Sequence, residues 1–169
     1  MIAIFDAFYR KDKTITSCVC ISSWESVSSA LEIVDESAIA HDYISGELFK
    51  REMPGIISIL ERLKAQVIPS FIIIDGYVWL EVGRPGLGHH LFLASGGQTP
   101  VIGVAKNPFK GSPHSTLAFR GESRKPLYVT SIGISQSTSA EMICKMAGSY
   151  RLPAMIKRAD ILSKQIAHA

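Results

Sequence analysis

The tightest constraint in this sequence is a short apolar run that ends on a charge. Phe71–Ile74 is one phenylalanine and three isoleucines, bounded by Pro69 before and Gly76 after, and its next residue is Asp75. A run of β-branched residues this short and this apolar is a strand covered on both faces. A carboxylate at the end of such a strand costs several kcal/mol in desolvation unless a partner or a proton offsets it. Two readings stay open: Asp75-Gly76 is a turn that caps the next segment, or Asp75 meets a cation. A second run, "PVIGVAK" from Pro100 to Lys106, is a buried strand of the same kind and ends on a lysine. Before the first run, "PGIISILERLKA" places Ile56, Ile57, Leu60 and Leu63 at helical spacing, with Pro54 near the helix start.

The remaining segments fill in a single α/β domain over residues 1–169. "MIAIFDAFYR" reads as a first strand, "KDK" as a polar turn and "TITSCVCISSW" as the hairpin partner. "SALEIVDESAIA" reads as a third strand with a turn near Asp35. The Gly-rich stretch "GRPGLGHHLFLASGG" contains a helix, and residues 116–134 form one or two irregular strands. Thr138 and Glu141 have the spacing of a capping box, and Pro153 begins a last helix through Ile166. The expected architecture is a mixed sheet, an antiparallel meander extended by parallel strands, flanked by helices. Ligands in an open sheet of this type sit at the carboxyl ends of the parallel strands.

Composition restricts the partners only loosely. With 18 Lys and Arg against 15 Asp and Glu, the net charge of +3 permits a polyanion without demanding one. No apolar run reaches membrane-spanning length, and Asp6 interrupts the N-terminal run, so a soluble cytoplasmic protein without a membrane partner is expected. Cys18 and Cys20, two apart on a strand, share a face and read as reduced core thiols; with Cys144 they lack metal-site spacing.

Asp75 has company. Asp6 interrupts its apolar strand, and Glu52 sits at the start of a helix in "FKREMPGI". Brought to one end of the sheet, these three hard oxygen donors suit Mg²⁺ or Mn²⁺. Singly, each has an ordinary explanation: Asp6 as a hydrogen-bonding group at the sheet, Glu52 as a solvated acid at a helix N-terminus. Lys106 alone reads as a solvated strand-end lysine. His89 and His90 read as helix surface or satisfied core, and Trp24, Trp79 and Tyr150 as core or partly exposed aromatics, not base-stacking platforms. "RGESRKP", Arg120 to Pro126, reads as a solvated loop or as three basic residues tracking a phosphate backbone.

Taken in order, these segments resemble the endonuclease V family. "FDAFY" is similar to the family's strand carrying the first metal aspartate, which maps to Asp6. "DYISGELFKRE" resembles its wedge segment and acidic helix start, giving a wedge tyrosine at Tyr43, Ile44 and Gly46 beside it, and the metal glutamate at Glu52. "FIIIDG" matches the strand of the second metal aspartate, Asp75. "GLGHHLF" places His90 at the family's histidine, "PVIGVAKNPF" places Lys106 at its catalytic lysine, and "YRLPAMIKRADIL" puts Asp160 near the metal. The resemblance implies a ribonuclease-H-like fold and a Mg²⁺- or Mn²⁺-dependent endonuclease acting on DNA or RNA containing deaminated, inosine-type bases. Asp6, Glu52, Asp75 and Lys106 would be catalytic; Tyr43, Ile44, Gly46, Gly76 and His90 would contact nucleic acid. Gly46, Gly76 and Gly103 would let backbone approach a base or phosphate closely. Some family features are missing. Tyr77 and Glu81 stand where histidines are usual, Ser45 replaces a proline, and "VTSIGISQS" lacks a Gly-His-Arg segment. The alternative is a divergent relative that binds nucleic acid or a partner without cleaving at inosine.

Overall fold

In the computed structural model, which describes residues 1–38, 49–109 and 114–166, seven strands form one mixed sheet. The meander comes first: β1 (Ile2–Tyr9), β2 (Lys13–Ile21) and β3 (Leu31–Ala38), each antiparallel to the last. Helix α1 (Phe49–Lys64) crosses one face and returns the chain to β4 (Phe71–Asp75), which lies parallel to β1. A two-stranded ribbon, β5 (Trp79–Glu81) and β6 (Arg84–Pro85), precedes α2 (Leu87–Ala94). Strand β7 (Val101–Ala105) lies parallel to β4, and β9 (Leu127–Ile132) and β8 (Thr116–Ala118) close the edge antiparallel. Helices α3 (Gln136–Lys145) and α4 (Ala154–Ile166) end the described chain. The sheet order is β3-β2-β1-β4-β7-β9-β8.

Alternation along the strands explains the two helical layers. Ile2, Ile4 and Ile73 face the layer holding Ala159 and Leu162 of α4, whereas Ala3, Phe5, Ile72 and Ile74 face Ile56, Ile59 and Leu63 of α1. Cys18 and Cys20 lie buried on the α1 side, their Sγ atoms 3.7 Å apart, as their spacing on one strand requires. Arg158 of α4 ties the last helix to β3 through paired bonds to Glu32, 2.7 and 2.8 Å long.

Several expectations need correction. Strand β3 runs straight through Asp35, which pairs in register with Thr16, so there is no turn there. The Asp35 carboxylate accepts from Ser58 of α1 at 3.0 Å, which accommodates a polar residue on a half-covered strand. Pro54 lies inside α1, not near its start, because Phe49 and Met53 already pack against the sheet. The cap of α3 is Ser135, whose Oγ accepts from the Thr138 amide at 3.1 Å; Thr138 is therefore inside the first turn. Gly103 serves packing and not ligand approach: a Cβ there would lie 2.6 Å from the Gly76 carbonyl oxygen and 2.8 Å from Thr130 Oγ1. Among the described residues no helix is long and apolar enough to cross a membrane.

Candidate active site at the strand ends

Three parallel strands end together, and the register fixes what they present. Phe5 pairs with Ile74, so Asp6 and Asp75 come next on neighbouring strands and project to the same face. That face is covered by α4, which supplies Asp160 and Ser163. Val104 pairs with Asp75, and Lys106 follows two residues later on the same side. Glu52 comes from the opposite layer, in the first turn of α1. Tyr9, three residues after Asp6 and so on the other face of β1, meets it there.

Each carboxylate is held by a different donor. Ser163 Oγ donates to Asp6 Oδ2 at 2.9 Å, and the Tyr9 hydroxyl donates to Glu52 Oε1. Lys106 Nζ donates to Asp75 Oδ2 at 3.1 Å and lies 3.8 Å from Asp160 Oδ1. Asp160 Oδ1 also receives Lys164 Nζ, at 2.6 Å. Among the described residues, no three carboxylate, imidazole or thiol groups close on one point in a metal-ligating arrangement.

The electrostatics favour positive charge near two of these carboxyls. Asp6 is 8% exposed and Glu52 7% exposed. Burial, then repulsion from Asp75, pushes Asp6 up to about 7, against the Ser163 bond and the Lys106 charge. Burial pushes Glu52 up to about 8, with Asp6 and Asp75 adding to it and the Tyr9 bond opposing. Two buried acids held near neutral pH by their surroundings are relieved by a small divalent ion, and carboxylate oxygens are the donors such an ion prefers. The residues present therefore fit Mg²⁺ or Mn²⁺. Lys106 is drawn down by burial, but Asp75, Asp160 and Asp6 outweigh this and hold it above its usual range.

Asp6, Glu52, Asp75, Lys106 and Asp160 are thus brought together. His90 enters a different contact: its ring stacks on Phe49 of α1, centroids 3.9 Å apart, and burial with the neighbouring His89 lowers its pKa. Gly76 has φ +135°, and a Cβ there would meet nothing within 4 Å, so the backbone beside Asp75 is open to close approach. Tyr43, Ile44, Ser45 and Gly46 lie outside the described residues.

Sequence reasoning missed the supporting groups. Ser163 lies three residues after Asp160, one helical turn along the same face of α4. Tyr9 could have been found from its offset of three on β1. Arg120 departs from both expectations for the 120–126 segment, a solvated loop or basic residues along a phosphate backbone. It is 6% exposed, and its guanidinium donates to the carbonyls of Cys144, Met146, Gly148, Tyr150 and Arg151. Five carbonyls consume the donors that a phosphate would need. Arg151 in turn donates to the carbonyls of Lys106 and Pro126. Tyr77 is buried; its hydroxyl donates to the Asn107 carbonyl at 2.7 Å and accepts from the Phe109 amide at 3.1 Å.

Comparison with known proteins places this arrangement. The family profile described as Endonuclease V matches residues 1–124. A Streptomyces coelicolor relative named Endonuclease V is 32% identical over 147 residues, covering 75% of this chain and 61% of that protein. A Nostoc punctiforme relative of the same name is 28% identical over 188 residues, covering 96% of this chain and 81% of the relative. Against the former, then, the chain spans under two thirds of the relative's length. A solved Ciona intestinalis endonuclease V, in complex with a 24mer DNA containing an inosine followed by a ribo-adenosine, superposes with a TM-score of 0.82. The superposition covers 99% of this chain and 85% of that one at 22% identity. The fold is the ribonuclease-H-like fold of endonuclease V.

Proposed function

We propose, starting from the fact that this chain belongs to the endonuclease V family, that it is a Mg²⁺- or Mn²⁺-dependent endonuclease acting on DNA or RNA that contains deaminated, inosine-type bases. One observation carries the reading: Asp6 and Glu52, both buried, converge with Asp75, Asp160 and Lys106 at the ends of parallel strands. The inosine-containing DNA bound by the Ciona intestinalis relative supports the substrate class. Asp6, Glu52 and Asp75 would hold the metal, with Asp160 beside them. When bound, the metal supplies a more acidic water and a positive charge at the leaving oxygen.

The chain's own residues do the rest. Tyr9 and Ser163 each fix one carboxylate oxygen and so aim its other oxygen into the site. Lys106, held by Asp75 and with its carbonyl clamped by Arg151, presents a fixed positive charge. That charge offsets the negative charge that grows on the phosphate as the P–O bond breaks. Gly76 leaves room for backbone to approach the substrate. A base already weakly paired, as a deaminated one is, costs least to turn out of a duplex.

A second reading, a relative that binds nucleic acid without cutting at inosine, is favoured by Tyr77. Its hydroxyl is spent on Asn107 and Phe109 at a position where the family usually has histidine. Incubation of single- and double-stranded oligonucleotides with and without one inosine, in Mg²⁺ or Mn²⁺, separates the two. Cleavage only of inosine-containing strands is the expected result. Binding with every strand left intact would refute the nuclease reading and leave the second.

A further inference from the structure

A cavity of about 730 Å³ opens beside the strand-end site, between the 121–123 turn and the start of α4. Its lining includes Glu122, Ser123, Tyr150, Arg151, Lys157 and Asp160. Asp160 belongs to both places, since its Oδ1 lies 3.8 Å from Lys106 Nζ. The cavity therefore borders the candidate active site. Its volume lies within the roughly 300–1,000 Å³ range of small-molecule sites, enough for one nucleotide unit.

Its walls are held together by hydrogen bonds to one side chain. Arg120 gathers the carbonyls of residues 144–151 around one buried guanidinium, including Gly148 at 3.0 Å and Tyr150 at 2.8 Å. On the other wall Gly121 sits so close to the Ser149 carbonyl that a Cβ would collide with it. On this fixed loop the Tyr150 side chain is held outward, 74% exposed, with Lys157 Nζ 5.8 Å from its ring centroid. An aromatic ring on a pre-ordered loop beside a lysine is the combination that stacks a base and meets its phosphate. Because the ring is already placed, little ordering entropy opposes binding. The charged residues of the lining are Glu122, Arg151, Lys157 and Asp160. Of the two basic residues, Lys157 is the one beside the Tyr150 ring, and a phosphate of a stacked nucleotide would meet it.

We propose that this cavity is a second nucleic-acid subsite. Tyr150 stacks a base of the strand flanking the cleaved phosphate, and Lys157 contacts that nucleotide's phosphate. The inference rests on the nuclease reading above and extends it to a part of the strand away from the reacting phosphate.

The test uses the full chain and a fluorescein-labelled oligothymidine of about twelve nucleotides, within the site sizes of single-strand binders, followed by anisotropy at several salt concentrations in Mg²⁺. Tyr150→Ala should weaken binding between about five- and a hundredfold, the range for losing one stacked base. Tyr150→Phe should bind like wild type, and the thermal midpoint of either variant should stay put because the ring is exposed. Lys157→Gln should make the slope of log affinity against log salt shallower by about 0.7, the effect of one lost contact to a single strand. A purely structural role would not change that slope. If wild type binds and cuts but Tyr150→Ala and Lys157→Gln bind within twofold of it, the subsite is wrong and the nuclease reading stands. If wild type neither binds nor cuts any strand, both fall together.

Discussion

Removing divalent metal and raising the pH should destabilise this protein, and the two buried acids set the size of the effect. In the unfolded chain Asp6 and Glu52 would release their protons near 3.8 and 4.5; in the fold they hold them to about 7 and about 8. Between those limits the folded state binds more protons than the unfolded one. Stability from this source is therefore complete below about pH 4 and falls as pH rises to about 8. For Glu52, moving from pH 5 to pH 8 spans about three units, or about 4 kcal/mol at 1.36 kcal/mol per unit. Asp6 adds less than a second such amount, because both shifts include repulsion within one carboxylate cluster. At about 2–4 °C per kcal/mol for a domain of this size, the midpoint should fall by ~10–20 °C. Thermal unfolding of chelator-treated protein at pH 5 and pH 8 measures this directly. Glu52→Gln should flatten the dependence, since a neutral amide has no proton to lose. Added Mg²⁺ should raise the midpoint at pH 8 far more than at pH 5, where protons compete for the same oxygens. Parallel pH slopes for wild type and Glu52→Gln, or equal Mg²⁺ increments at both pH values, would refute the reasoning.

Further outcomes follow from individual contacts. Lys106→Ala should lower the single-turnover cleavage rate by at least a hundredfold while changing strand affinity only severalfold, because its charge acts mainly as the phosphate gains negative charge; equal losses in both would make it a binding residue only. Tyr9→Phe removes the hydroxyl that orients Glu52, and titration of cleavage with Mg²⁺ should show a requirement raised by about ten- to a hundredfold, the usual effect of losing a group that orients a ligand. Arg120→Ala leaves five carbonyls without their guanidinium and should cost about 3–5 kcal/mol, read as a midpoint drop of roughly 10 °C, with Arg120→Lys recovering only part of it.

How far the sequence could be read depended on whether a residue's role was local. The apolar runs at Phe71–Ile74 and Val101–Ala105 announced buried parallel strands, because β-branched residues in a short run leave few alternatives. The meander was legible from strand, polar turn and strand. Asp6, Asp75 and Lys106 stood out as charges at the ends or in the middle of such strands, and their meeting follows from register alone. Roles that depend on long-range partners were hidden. Arg120 looks like any loop cation until residues 144–151 fold over it, since nothing near it in sequence reveals five carbonyls more than twenty residues away. Ser163 becomes a support for Asp6 only because α4 packs across β1. Ser135 outcompetes Thr138 for the helix cap through a three-residue difference that spacing rules do not resolve.

Tyr77 is one of the residues at which the sequence differs from the pattern it resembles, and its contacts indicate what the difference does. The hydroxyl joins the Asn107 carbonyl and the Phe109 amide, so it clamps the segment immediately following Lys106. Arg151 donates to the carbonyl of the lysine itself, one residue earlier. The backbone leaving the lysine is thus held by two side chains, with no imidazole needed. Tyr77→Phe removes both hydroxyl bonds and should cost about 1–2 kcal/mol of stability. It should also lower the cleavage rate more than affinity, since a loosened 107–109 segment spreads the positions of Lys106 Nζ. Tyr77→His should behave like Tyr77→Phe, because an imidazole is shorter than a phenol and does not span to Asn107 and Phe109 together. The comparison is a rate and inosine-preference measurement on the three proteins at one pH. If Tyr77→His instead sharpens the preference for inosine while keeping the rate, the clamp is not what the tyrosine is for. The position would then belong to base recognition.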